Sequence, residues 1–313
     1  MTSSPVDEPA GRRIAAALWG LACGEAVGRA WGSPQAASGW PTTPPAGPAG
    51  LRVGPATRLV IALARAVAAG EGRVDPSPPV EVTAALAGSA PGPLDPALWA
   101  VVAGLINRPD DLQWLVEDGV ALVQVVAGAA PVPPPAPAAL AAAAAVAAAV
   151  SAAVAGEGPE AVLDRATEAA AAAVAVAGSA AGGEEPAAAV AHALDTLRLT
   201  LAGRGAGEPP GRLAAILRSR WEPGLEPSRA VPFALVLAAA CGDAGRAIQE
   251  AAGAGLPGAA SPGAAPVAPV LAALAGSVAG ALAPASVPAA WTGALDELAQ
   301  DMERLVPELA RLR

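Results

Sequence analysis

Two stretches of this chain place glycine at every fourth position inside runs of alanine and leucine. In GRRIAAALWGLACGEAVGRA these are Gly20, Gly24 and Gly28; in LAALAGSVAGALAPASVPAAW they are Gly276 and Gly280. A helix brings residues four apart onto one face. Each glycine costs a helix up to ~1 kcal/mol relative to alanine, a cost that close contact with another helix backbone can offset. The rest of the composition makes the same demand. Aromatic residues are 3% of the chain and tyrosine is absent, although 54% is hydrophobic. The core must therefore be built from Ala, Leu and Val, which bury little area each at about 25 cal/mol per Å². Only many closely approaching helices can make such a core stable. No strand-like alternation and no 20–50-residue repeat is present. The predicted fold class is all-α, a single compact multi-helix domain over 11–313 behind a disordered N-terminal tail at 1–10.

All 19 basic residues are arginine, and with 35 Gly and 34 Pro this is the signature expected of a high-GC bacterial genome. The net charge of −9 argues against nucleic acid, whose phosphates require a basic face. Cys23 and Cys241 are too few and too far apart for a disulfide framework or zinc site, and are expected in the core. MTSSPVDEPAGRR puts acids before bases and lacks a following apolar run, so it does not read as a signal peptide. The expected compartment is the cytoplasm. Ala138 to Ala155 has no charge and approaches spanning length. Its four strongly apolar residues contribute only ~2 kcal/mol toward insertion, so it reads as a buried helix and no membrane partner is expected.

Helices are predicted at Arg12–Ala30, after Gly54-Pro55-Ala56-Thr57, and at ALWAVVAGLI, with Asp95 as N-cap and Pro96 at the first position. Another opens after Pro109-Asp110-Asp111, and three lie between Ala138 and Gly203. Short helices follow at Pro209–Trp221 and Ser228–Ala240, and Asp243 caps the next. Trp31–Leu51 and Pro131–Pro137 read as loops, and Asp75-Pro76 as a turn. Near the C-terminus, Leu295, Leu298, Met302, Leu305, Leu309 and Leu312 form a short heptad seam interrupted by Pro307. It is predicted to pack on the chain's own body, the alternative being a homodimer through this helix.

Leu18, Gly20, Leu21, Ala22, Gly24, Ala26 and Gly28 fall in register with a G-x-L-x-G-L-A-x-G-D-A-L-G helix, Glu25 taking the acidic place. Val287-Pro288-Ala289-Ala290-Trp291 matches an I/V-P-x-x-W turn after a glycine-bearing helix. With these features the chain resembles the ADP-ribosylglycohydrolase family, from about Gly11 to Leu298. The resemblance implies a domain of that helical type. It also implies hydrolysis of ADP-ribose glycosidic bonds with two Mg²⁺, held by acids of a W-T-D-D-T loop and a G-G-D-x-D-T loop. Here Gly54, Pro55 and Ala56 stand in place of Thr-Asp-Asp, with Thr57 retained. Counting back from Gly276, the acids of the second loop would fall near Val267 and Pro269, behind about ten extra residues, an insertion stiffened by Pro257, Pro262, Pro266 and Pro269. The family's Arg after the Asp95 region and its T-H-x-x-P histidine are also replaced.

A test independent of alignment settles the donors. No Asp or Glu lies between Ala26 and Gly70, nor between Ala251 and Leu295. A hard divalent cation needs about six oxygens, several anionic, and Glu25 alone cannot supply a dinuclear site. No metal and no cofactor is expected. Gly54, Pro55, Ala56, Thr57, Val267 and Pro269 are placed in the cleft by family position, and Gly255–Pro269 is expected to fold over the old metal site. The remaining catalytic candidates are Glu25 and the pair His192/Asp195 at i, i+3, which reads more simply as an ion pair. Gly253–Gly258 fits G-x-G-x-x-G but follows a helix, so it reads as a helix end. The predicted role is that of a catalytically silent pseudoenzyme that binds a small molecule or protein. The alternatives are a metal-independent hydrolase using Glu25 or His192/Asp195, and a structural partner that oligomerises through the C-terminal helix.

Overall fold

The structure is a computed structural model that describes residues 8–31, 51–73, 80–87, 92–129, 134–176, 184–202, 204, 207–209, 211–221, 223–254 and 267–313. Among these residues there are fifteen α-helices and no strand. In chain order they are α1 (Pro9–Trp31), α2 (Pro55–Ala69), α3 (Val80–Leu86), α4 (Asp95–Trp99), α5 (Val101–Ile106), α6 (Leu112–Ala129), α7 (Pro137–Ala155) and α8 (Pro159–Val176). The chain continues through α9 (Glu184–Thr200), α10 (Arg212–Arg218), α11 (Pro227–Cys241), α12 (Ala244–Ala254), α13 (Ala268–Leu282), α14 (Ala289–Ala294) and α15 (Ala299–Leu312). The all-α expectation holds. Most of the tail at 1–10, the loop after Trp31, the Asp75-Pro76 turn, most of Gly253–Gly258 and the segment 255–266 lie outside the described residues.

The glycine faces meet. α1 and α13 form the most extensive helix pair of the domain. A methyl group added to Gly20 would overlap the Gly276 carbonyl, and one on Gly280 would overlap the Ala16 carbonyl. At Gly28 the added carbon would sit 2.6 Å from the Ala268 carbonyl oxygen. Backbone therefore lies on backbone along the whole contact, which only glycine permits. This is how a core short of large side chains reaches close packing.

α7 runs through the centre. Its apolar window is 94% buried by α8, α5, α6, α9 and other neighbours. By length and composition alone both α7 and α6 could cross a membrane, but α7 is enclosed by the chain's own helices. Gly156, with φ 89°, ends it in a left-handed turn. The seam of α15 is likewise turned inward: Leu295, Leu298, Met302, Leu305 and Leu309 are buried, and the helix packs on α1, α2 and α5.

Helix ends are where charge enters the interior. Helices α2, α7, α11 and α13 open on proline near the first position with no capping side chain of their own. At other helix ends, residues distant in the chain make the bonds. Glu250, 1% exposed, accepts from the N–H groups of Gly211 (2.7 Å) and Ala214 (2.9 Å) at the start of α10. Arg13 donates to the carbonyls of Ala281 (2.6 Å) and Leu282 (3.2 Å) at the end of α13. Arg313 donates to Gly104 (2.9 Å) at the end of α5 and to the Ser151 carbonyl (2.6 Å) in α7. Anions at N-termini and cations at C-termini suit the helix dipoles.

Two local expectations need correction. The run ALWAVVAGLI is divided at Ala100, whose φ of −65° and ψ of −15° draw it toward a 3-10-like turn. Beyond the division, α5 presses Gly104 so closely on α7 that an added methyl would overlap Ala147. Asp95 does not cap α4. Leu94 is already in the helical region, which puts Asp95 inside the first turn, and its Oδ2 accepts from the Gly92 N–H at 2.7 Å. Asp243 does cap as expected, accepting from the Arg246 N–H at 2.7 Å.

Candidate functional site

The last two turns of α1 gather the residues singled out in the sequence. Glu25 points at the start of α2, and its carboxylate is 3% exposed. Its Oε1 accepts from the Ala56 N–H at 3.1 Å, and its Oε2 accepts from the Thr57 N–H at 2.7 Å and the Thr57 hydroxyl at 2.6 Å. These are orphan donors of a first helical turn, and the carboxylate lies at the positive end of the α2 dipole. Thr57 is fully buried beneath it.

Gly54 is the residue that makes room. Its φ of −85° is open to any residue, so conformational freedom is not the reason for glycine here. The reason is space: a methyl on Gly54 would overlap the Glu25 carboxylate. Pro55 opens α2, where its missing N–H leaves nothing unsatisfied. The four residues Gly54-Pro55-Ala56-Thr57 thus form a cradle for one carboxylate.

The start of α13 arrives on the same end of α1. Val267 is half-buried as its N-cap and Pro269 is buried in its first turn, against Gly28. Gly28 stands three residues beyond Glu25, so both helix starts reach adjoining turns of α1. Neither brings a carboxylate.

A second acid was missed by sequence reading as a member of this region. Burial pushes the Asp95 carboxyl up to about 6, the negative charge of Glu25 pushes it further in the same direction, and the Gly92 N–H opposes both. Asp95 and Glu25 are therefore close enough to feel each other. The signal in sequence was only an Asp-Pro helix start, which reads as a cap.

His192 and Asp195 go elsewhere. Both are exposed on α9, which packs on α7, α8 and α11, and no hydrogen bond or ion pair joins them among the described residues. Arg198 on the same helix is paired instead with Asp164 and, at 3.4 Å, with Glu160. Cys23 and Cys241 are buried free thiols pushed up to about 12 by burial, as core residues rather than nucleophiles.

The chain was compared with known proteins. No family model matches it, and no curated protein matches it. A solved structure described as an "ADP-ribosylglycohydrolase-related protein complex" does match, with a TM-score of 0.54. The match covers 97% of this chain and 99% of that one, at 20% sequence identity. The fold is of the ADP-ribosylglycohydrolase type. At this identity it is the fold that the likeness establishes, and the site has to be judged on its own residues.

A divalent metal, which that fold type implies, finds no fitting donor set. Among the described residues no three of His, Cys, Asp and Glu come together in a way that could hold a metal ion. Both oxygens of Glu25 are already taken by N–H and O–H donors, and Asp95 is bonded to Gly92. The segments 32–50 and 255–266, which flank the two helix starts, contain no Asp or Glu.

Proposed function

We propose that this chain keeps the ADP-ribosylglycohydrolase fold without the hydrolysis, and serves as a binding or regulatory protein for a small molecule or another protein. The observation that carries the reading is the fate of Glu25. In a metal-dependent hydrolase of this type an acid near α2 would face the metal and the substrate. Here the carboxylate faces three donors of α2 and stabilises a helix start. A carboxylate whose two oxygens already accept from N–H and O–H donors is a poor metal ligand. The absence of any acid from both neighbouring segments supports the same reading.

A second reading rests on Asp95. A carboxyl raised to about 6 by burial can donate a proton near neutral pH. A hydrolase without metal could use it as general acid. Incubation of the full chain with a mono-ADP-ribosylated protein, with Mg²⁺ or with EDTA, separates the possibilities. No release of ADP-ribose in either condition is the expected result. Release only with Mg²⁺ would overturn the proposal, and release in EDTA that is lost in Asp95→Asn would favour the metal-free enzyme.

A further inference from the structure

A concavity lies on the opposite half of α1. It occupies about 590 Å³ between the N-terminal turns of α1, the turn at 284–287 and α14, which is within the size range of small-molecule sites. Its wall carries Arg12, Arg13, Trp19, Pro284, Val287 and Thr292 among smaller residues, and no acid among the described residues. Two guanidinium groups without a carboxylate run against the overall charge of −9. Arg12 is exposed, and among the described residues no carboxylate pairs with it.

One side of the wall is fixed by hydrogen bonds. Arg13 is tied to the carbonyls of Ala281 and Leu282. The Ser286 hydroxyl donates to the Ala283 carbonyl at 2.7 Å and accepts from the Ala244 N–H at 2.8 Å, which pins the 284–286 turn. Trp19, half-buried, stands seven residues after Arg12 on the same face of α1, about 10 Å along the helix axis. The small residues Ala15 and Ala16 line the space between them. That spacing suits a two-ring body against the indole with an anionic head group at Arg12.

We infer that this pocket is a binding site for a small organic anion with a flat aromatic body, its carboxylate or phosphate held by Arg12 and its rings by Trp19. The site is independent of the α1–α2 cradle, so it stands or falls apart from the proposed function. The test is calorimetric titration of the full chain with naphthalene-1-carboxylate and 1-naphthyl phosphate, with 1-naphthalenemethanol as the neutral control. Saturable binding at one site per chain is expected for at least one anion, and a preference between the two identifies the head group. Arg12→Glu should weaken it about tenfold or more, the effect of losing a charge-assisted hydrogen bond, with the melting temperature unchanged. Arg12→Gln should weaken it less, and Arg218→Gln, on α10, should have no effect. Equal binding of the neutral alcohol, undiminished binding to both Arg12 variants, or no saturable binding of either anion would overturn the inference.

Discussion

Replacing Glu25 by alanine removes the acceptor of three donors, the half-buried Ala56 N–H and the buried Thr57 N–H and Thr57 hydroxyl. A buried donor left unsatisfied costs about 1–3 kcal/mol, so the sum is ~4 kcal/mol after some entry of water. Unfolding entropy of about 2.1 cal/mol/K per residue gives a chain of this length about 0.66 kcal/mol/K. The melting temperature should fall by ~6 °C. Thr57→Val removes one of the three donors together with its bond and should cost ~1 kcal/mol, or ~1.5 °C. Gly54→Ala should destabilise comparably to Glu25→Ala, because its methyl would displace the carboxylate. Differential scanning calorimetry reads all three. A Glu25→Ala protein melting within ~1 °C of the parent would refute the capping role and return Glu25 to the list of available catalytic groups.

Other expectations follow from the packing and from Asp95. Gly24→Val should prevent folding or cost more than ~3 kcal/mol, since the Ala272 carbonyl occupies the space its side chain needs, whereas Gly128→Ala, with nothing within 4 Å, should stabilise α6 by ~0.5–1 kcal/mol; circular-dichroism melts distinguish them. Asp95 is raised to about 6 in the fold against an ordinary 3.8, so its favourable contribution is complete below about pH 4 and is lost as pH rises through about 6. Asp95→Asn should thus raise stability at pH 7.5 by up to ~3 kcal/mol and leave it unchanged at pH 3.5; equal effects at both pH values would contradict the assignment.

How much of this was legible in sequence depends on the range of the interaction. The spacing of Gly20, Gly24, Gly28, Gly276 and Gly280 announced two helices needing close partners, and the structure pairs those helices with each other. Helix ends were harder to read. The sequence offered Asp95 as a local cap, but Leu94 had already entered the helix, and the interior helix ends drew on Arg13, Glu25, Glu250 and Arg313 from elsewhere in the chain. Such caps are tertiary contacts, and spacing along the chain carries no trace of them. Gly54 shows the same limit. It was read only as standing in the threonine place of the family loop, and its physical reason is the Glu25 carboxylate 29 positions earlier. The proximity of Asp95 to Glu25 was invisible for the same cause.

The central claim is that the cradle at the α1–α2 junction holds a structural carboxylate and no metal. Isothermal titration of Mn²⁺ and Mg²⁺ into the full chain, alone and with saturating ADP-ribose, tests it most directly. The account predicts no saturable metal site below ~1 mM in either condition, and the same result for Glu25→Ala, because no second donor stands ready to replace it. One or two tightly bound ions per chain, displaced by EDTA and lost on Glu25→Ala, would contradict it.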